Sequence, residues 1–430
     1  MKNRIRAYRN SEFLKNSLIT VSGTVAAQFI VLLAQPVLRR IYPAEDFGLM
    51  SVFLSLVGIP VVVAGLRYEL AVMLPRSQKE ADNLTAATFF IHVVFSLAVG
   101  AGVWTFADQL LLQLNVGEDF RAWLPAVGPA IFFYANFTLM NQWLVRRKHF
   151  GAVNWLKLTR RSTEAASQIL LQGFSRFPGL LWGELVGRLL FNFLGIFFLI
   201  RKGFSFRFLR VKSAVRLLKE YSRFPKYSFL PTLLNSAGLL LPPILFNRLF
   251  GTEQTGYFDL TLQVLAVPVM FVVNSLGTVI NQQLAEAYRN REPVKSKVYR
   301  IMKNLLVPAV SFVLFFWFFS PYLFGVIFGE AYVVSGHFAK VLAVAFGFRI
   351  LVFPFTVVFA ALDQIREGSI VQFIHFFGIC SILFLKTNDS MHWLIAYAAL
   401  EFMVSGIYLF LILRGIGRYE HSIKMRKLHR

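Results

Sequence analysis

The sequence predicts an all-α polytopic membrane protein, with about 12 transmembrane helices in two repeat-related six-helix lobes around a central cavity. Three observations carry that expectation. First, 56% of the 430 residues are hydrophobic, Phe alone occurs 47 times, and the mean hydropathy is +0.58. A soluble domain of this length has no interior large enough for so much apolar surface. Second, apolar stretches of roughly 18 residues or more recur along the chain, each long enough to cross ~30 Å of hydrocarbon as a helix. Third, the net charge of +23 is unevenly placed, with most of the 45 Lys and Arg on one set of alternate loops and on both termini. Cytoplasmic loops collect Lys and Arg, so both termini are expected in the cytoplasm. The same distribution argues against a nucleic-acid partner, because such a site needs its cations on an aqueous face and these flank lipid. Cys380 is the single cysteine, which leaves no disulfide framework and no thiolate metal site.

The spans are expected at 17–38, 47–74, 85–107, 122–144, 160–177, 179–200, 227–249, 256–282, 302–328, 338–362, 368–386 and 391–413. A basic segment (Lys2, Arg4, Arg6, Arg9, Lys15) precedes the first. That span is too long for a cleaved signal peptide and reads as a retained helix. Inward loops fall at 75–84, 145–159, 201–226, 283–301 and 363–367; the longest outward one, 108–121, is acidic through Asp108, Glu118 and Asp119. The fifth span, STEAASQILLQGFSRF, is short and polar, with Glu164, Gln168 and Gln172 recurring every fourth residue. It is kept as a buried crossing, because without it the loop 201–226, rich in Lys and Arg, would lie outside.

An internal repeat supports an even count. RIYPAEDFG (40–48) aligns without a gap on RLFGTEQTG (248–256), pairing Arg40 with Arg248, Glu45 with Glu253 and Gly48 with Gly256; the same offset brings Pro60 onto Pro268. Six helices between copies give both halves the same orientation. The expected organisation is an N-terminal lobe (1–200), a basic cytoplasmic linker (201–226), a C-terminal lobe (227–414) and a basic cytoplasmic tail (415–430).

Polar residues inside spans are the candidate site. Asn16, Thr20, Thr24 and Gln28 form a stripe on the first helix, and Ser228, Thr232, Asn235 and Ser236 form one on the seventh. Such stripes serve interhelical hydrogen bonding or a wet cavity. Asn141 and Gln142 near the end of span 4, before Arg146, Arg147 and Lys148, and Asn274, Asn281 and Gln282 in span 8, pose the same choice. The three cations at 146–148 are read mainly as topology and headgroup contacts. A charge at mid-depth costs about 2.5–3.5 kcal/mol and needs a partner or water. Glu184 and Arg188 stand one turn apart, acid first, the favourable order for an ion pair. Gly179, Gly183 and Gly187 nearby would admit a second helix closely. Arg349 and Glu401 lack partners on their own helices; whether they pair with each other or line the cavity stays open, and an unpaired Glu401 is the candidate for ion coupling. Arg67 and Glu69, two residues apart on one helix, are expected to point to different sides and not to pair. A continuous helix to Pro75 would put Arg67 ~12 Å inside the charged turn. His92, His375 and His392 are scattered and suggest no metal site.

The stretch RRIYPAEDFGLMSVFLSLVGIPVVVAGLRYELAVMLPRSQKEADNL (39–84) resembles the N-terminal half of bacterial polysaccharide and O-antigen flippases. These belong to the multidrug/oligosaccharidyl-lipid/polysaccharide exporter superfamily. NQWLVRRKHFGAVNWLKLTRRSTEAASQILLQGF (141–174) and GLLWGELVGRLL (179–190) are similar to the next block of such proteins. The resemblance implies two six-helix lobes, alternating access and no cofactor. The implied cargo is an oligosaccharide on undecaprenyl diphosphate, carried across the bacterial inner membrane for O-antigen, capsule or exopolysaccharide assembly, between glycosyltransferases and a polymerase. Proton or sodium coupling is open. Arginines suit a diphosphate because the planar guanidinium bonds two oxygens at once. On that reading the candidate cavity residues are Arg67, Glu69, Gln28, Asn141, Gln142, Glu184, Arg188, Asn235, Asn274, Gln282 and Arg349, with Glu401 for coupling. A multidrug/cation antiporter of the same superfamily would need acidic residues deep in the cavity. A polytopic enzyme of polysaccharide assembly would need a sizeable outward loop, and none exceeds about 15 residues.

Overall fold

A computed structural model describes residues 12–173, 179–205, 209–362, 364–385 and 387–428, which hold helices and turns and no strand. The chain divides into two compact units, the first ending at Ser236 and the second beginning at Ala237. Eight helical stretches among the described residues are long and apolar enough to cross a membrane, so this is a multi-pass membrane protein.

In the first unit, α1 (Glu12–Ile41) and α2 (Ala44–Val61) are separated at Pro43, whose extended backbone caps α2. Tyr42 beside that break donates its hydroxyl to Gln168 O at 2.6 Å. The second span was expected to continue to residue 74, and it does not. The helix stops at Val61, one residue past Pro60, and residues 62–67 turn before a four-residue helix, α3 (Tyr68–Ala71). Bonds from Val63 N to Pro60 O (3.1 Å) and Leu66 N to Val63 O (2.8 Å) tighten the chain into i→i+3 turns. α4 (Gln78–Thr105) restarts with a capping box, in which Ser77 and Glu80 satisfy each other's backbone donors. The short α5 (Ala107–Leu114) and a turn holding Arg121 against Glu118 and Asp108 lead into α6 (Leu124–Arg146).

The fifth span also needs correcting. Its helix, α7, runs Phe150–Leu170, so most of the loop expected at 145–159 is helical, and residues 174–177 of the expected span lie outside the described residues. FGAVNWLK (150–157) falls in the expected loop, yet Val153 and Leu156 are buried one turn apart and hold it as helix. α8 (Gly179–Arg201) packs on α7 through its glycine face: a Cβ at Gly187 would stand 3.0 Å from Arg160 O and from Glu164 Cβ. The close helix expected against these glycines is therefore α7. In the basic segment, α9 (Val211–Glu220) sinks Leu217 into the core formed by Tyr68, Val72, Trp143 and Phe191. Arg210 N to Asn83 Oδ1 (2.8 Å) and Arg216 to Glu80 (3.1 Å) fasten it to α4.

In α10 (Arg223–Asn290) helical geometry fails only at Gly251, at φ 82° and ψ 177°. The repeat offset aligns Gly251 with Pro43, so both copies break their helix at the same aligned position. The copies diverge at the prolines, because α10 runs on through Pro268 while α2 ends after Pro60. The second unit continues as α11 (Lys295–Phe328), α12 (Val333–Val352), α13 (Val358–Ala361), α14 (Ile365–Ile382) and α15 (Ser390–Leu428). Lipid tails are as apolar as a core, so helices here associate by packing and hydrogen bonds. Phe246 lies 4.6 Å from Phe258 and 5.1 Å from Trp393, centroid to centroid. Thr261 donates to Ser335 O at 3.0 Å, and Ser335 donates to Tyr257 O at 2.9 Å. The C-terminal segment continues α15 without interruption. Tyr419 donates to Ala287 O (2.9 Å) and Glu292 O (3.2 Å), and Glu420 accepts from Lys295 N (2.9 Å).

Candidate functional site

The broken second span brings Arg67 and Glu69 together, against the expectation from helical spacing. Arg67 Nη1 donates to Glu69 Oε1 at 3.2 Å. The reason is the backbone: Leu66 (φ 49°) and Arg67 (φ 67°) are left-handed, so residues 67 and 69 do not diverge as they would around a helix. Each left-handed residue costs about 1–2 kcal/mol. The expected ~12 Å depth of Arg67 presumed an unbroken helix and falls with it. Around the break stand Thr88 and His92 of α4 and Asn136 of α6, with His92 Nδ1 2.9 Å from Asn136 Oδ1. Below it, Arg146 donates to Val72 O (3.2 Å), Met73 O (2.8 Å) and Pro75 O (2.7 Å), holding carbonyls of the turn that follows α3. Arg146 thus has a structural duty beyond topology. With Arg147, Lys148 and His149 it lines an open basin of about 770 Å³. Partial burial, then Lys202 and Arg147, pushes the His149 imidazole below its usual range, so the basin's charge comes from its arginines and lysine.

A second cluster lies between α6, α7 and α8. Arg188 Nε donates to Glu184 Oε1 at 2.5 Å, as the spacing predicts. The pair is not isolated. Tyr134 of α6 donates to the same oxygen and lies under the Arg188 guanidinium. Arg161 Nη1 contacts both Glu164 oxygens at 2.9 Å, and the Glu164 and Glu184 carboxyls meet. Arg160, buried, stacks 5.0 Å from the Phe137 ring and has no partner for its Nε. Three arginines thus face two carboxyl groups, which leaves the cluster at least one positive charge in excess. A buried surplus cation fits an anionic ligand.

In the second unit Arg349 Nη2 and Glu401 Oε2 form the ion pair that the sequence left open, with Tyr397 beside them. Glu401 Oε1 accepts from, or shares a proton with, His375 Nε2 at 3.1 Å. Both carboxyl oxygens are therefore held. Gln28, Asn274 and Gln282 are exposed, while Asn141, Gln142 and Asn235 are half-buried, and Asn141 Oδ1 has no partner. Thr232 returns its hydroxyl to Ser228 O at 2.6 Å. The side chains of Asn16, Thr20 and Thr24 lie outside those described. Sequence reasoning missed Arg160, Arg161, Tyr134, Asn136 and the pairing of His375 with the buried Glu401. Only the i,i+3 spacing of Arg161 and Glu164 could have signalled any of this. Among the described residues no group of three His, Cys, Asp or Glu could hold a metal ion.

Long helices in two units, with charged clusters buried among them, define a membrane transporter fold. A solved inward-facing multidrug resistance MATE family transporter of the MOP superfamily superposes with a TM-score of 0.75 at 13% identity, covering 93% of this chain and 96% of that one. The lipid II flippase MurJ, in an inward closed conformation, gives 0.70 at 14% identity, covering 96% and 91%. The chain belongs to the polysaccharide biosynthesis protein family, which matches residues 13–281. A curated relative, the succinoglycan biosynthesis transport protein ExoT of Rhizobium meliloti (strain 1021), is 22% identical over 279 residues, 64% of this chain. The match spans only 54% of that relative's length.

Proposed function

We propose that this protein flips an undecaprenyl-diphosphate-linked oligosaccharide from the inner to the outer leaflet of the bacterial inner membrane. It does so by alternating access, with twelve crossings and both termini cytoplasmic, for surface polysaccharide assembly. It would act after glycosyltransferases build the lipid-linked unit and before a polymerase consumes it. The observation that carries the reading is the excess of arginine over carboxylate in the α6–α7–α8 cluster, in a chain of the polysaccharide biosynthesis family. A diphosphate is anionic and planar-fork donors suit it; a multidrug cation would be repelled by that surplus. In the first unit Arg67, Arg160 and Arg188 are assigned to the diphosphate, with Glu69 and Glu184 orienting two of them; in the second unit Arg349 is assigned separately to an anionic group of the substrate. Gln28, Asn141, Gln142, Asn235, Asn274 and Gln282 are assigned to sugar hydroxyls, and Glu401 to ion coupling.

The test is surface polysaccharide in a flippase-deficient strain, with protein level measured in parallel. Charge-assisted bonds contribute roughly 1.5–3 kcal/mol each. Arg160→Ala and Arg67→Ala should therefore each slow transport about ten- to a hundredfold at matched abundance, with lipid-linked oligosaccharide accumulating inside. Arg67→Lys should be milder, since it keeps the charge and loses the fork. Normal surface polysaccharide in both alanine variants would sink the assignment.

A further inference from the structure

Each unit sets a buried histidine near a buried glutamate, and the two arrangements differ in one respect. In the second unit both oxygens of Glu401 are taken, one by Arg349 and one by His375. In the first unit Glu69, only 5% exposed, has one oxygen on Arg67 while Oε2 has no partner. His92 is 1% exposed, and its Nδ1 is engaged by Asn136. Its other ring nitrogen faces Glu69 across Gly65. A Cβ at Gly65 would stand 2.5 Å from His92 Nε2 and 2.7 Å from Glu69 Oε2, so the two polar atoms are no farther apart than the sum of those distances. With glycine at 65 no side chain separates them. The other near neighbour is the Thr88 methyl, at 3.2 Å from that point, and the Thr88 hydroxyl is spent on Leu84 O. Among the described residues Arg67 is the charged group that faces Glu69.

We propose that Glu69 and His92 form a proton-binding site in the first unit, whose occupancy sets whether Arg67 is paired. The proton enters from water onto Glu69 Oε2 and is shared with His92 Nε2. The neutral carboxylic acid then holds Arg67 by a weak dipolar contact instead of an ion pair, and the guanidinium is free for an anionic group. When the proton leaves to water, the carboxylate recaptures Arg67. Proton and anion bind in support of each other, and by linkage each raises the other's affinity by the same factor. The geometry also explains why a buried carboxylate keeps an empty oxygen, at a turn where Leu66 and Arg67 accept left-handed backbone. The role of the freed arginine rests on the proposed diphosphate substrate; the proton site itself does not.

Infrared pH titration of the full-length protein in neutral-lipid vesicles tests the site without any substrate. The probe is the carbonyl stretch of a protonated carboxylic acid. A titrating band should be present in the native protein and absent in Glu69→Gln. Arg67→Gln should raise its midpoint by about one pH unit or more, because the opposing charge is gone. His92→Gln and Gly65→Ala, the latter placing a methyl between the two groups, should both displace the midpoint. Repeating the titration with undecaprenyl diphosphate in the vesicles should raise the native midpoint but not that of Arg67→Gln. A band that survives Glu69→Gln, or ignores both His92→Gln and Gly65→Ala in variants that remain monodisperse, overturns the proton site. If the band behaves as expected but undecaprenyl diphosphate leaves it unmoved, the proton site stands and the substrate reading fails.

Discussion

Arg188 is held by Glu184 Oε1 at 2.5 Å and by the Tyr134 ring, and its removal would strand a buried carboxylate. Breaking one side of a buried pair costs about 3–5 kcal/mol. Arg188→Ala should therefore lower the thermal midpoint of the detergent-solubilised protein sharply, read by gel filtration after heating. The exchanged double variant Glu184→Arg/Arg188→Glu should not recover it, because Tyr134 donates to a carboxylate at position 184 and Glu164 meets it there. Full recovery in the exchange would mean that the pair stands alone. The primary partners were legible from i,i+4 spacing. Tyr134 and Arg161 were not, because they arrive on other helices and only helix contacts bring them in. His92 looked isolated for the same reason, since Asn136 sits on α6 and Glu69 lies across a turn that hydropathy does not see.

The helix break at Gly251 was foreshadowed by its alignment with Pro43, and it admits a direct test. Its backbone (φ 82°, ψ 177°) lies in a region that side chains resist, although open space surrounds it. Gly251→Ala should therefore cost about 1–3 kcal/mol from backbone strain alone. Gly406, inside α15 and also in open space, is the control. Gly406→Ala should be neutral or stabilising by about 0.5–1 kcal/mol. Equal thermal midpoints for Gly251→Ala and the native protein would remove the strain argument. The other break, at residues 62–67, was hidden in the sequence. Val61–Ala64 are as apolar as any helix centre, and hydropathy reports burial, not dihedral angles. The early start of α7 was hidden differently, because Arg146, Arg147, Lys148 and Lys157 on either side mark the end of a crossing and not the end of helical structure.

At the scale of the whole molecule, composition alone disclosed the class, because 56% hydrophobic residues in 430 leave no soluble alternative. The orientation of the chain rests on charge, and labelling checks it. In a Cys380→Ala background, single cysteines replacing Glu118 and Glu253 should react with an impermeant maleimide in intact cells. Those replacing Lys79, Lys212 and Lys295 should react only after permeabilisation. Labelling of position 212 in intact cells would contradict twelve crossings. Where each polar residue faces was not legible, since stripes on α1 and α10 carry no mark of what lies opposite. The uninterrupted run of α15 has a practical consequence of its own. Its 39 residues extend ~58 Å at 1.5 Å each, about twice a ~30 Å hydrocarbon layer. Tyr419 and Glu420 anchor the distal part to the second unit. A fusion partner joined in register to that end would inherit its bearing, so a small protein with little contrast of its own gains a fixed fiducial for single-particle imaging.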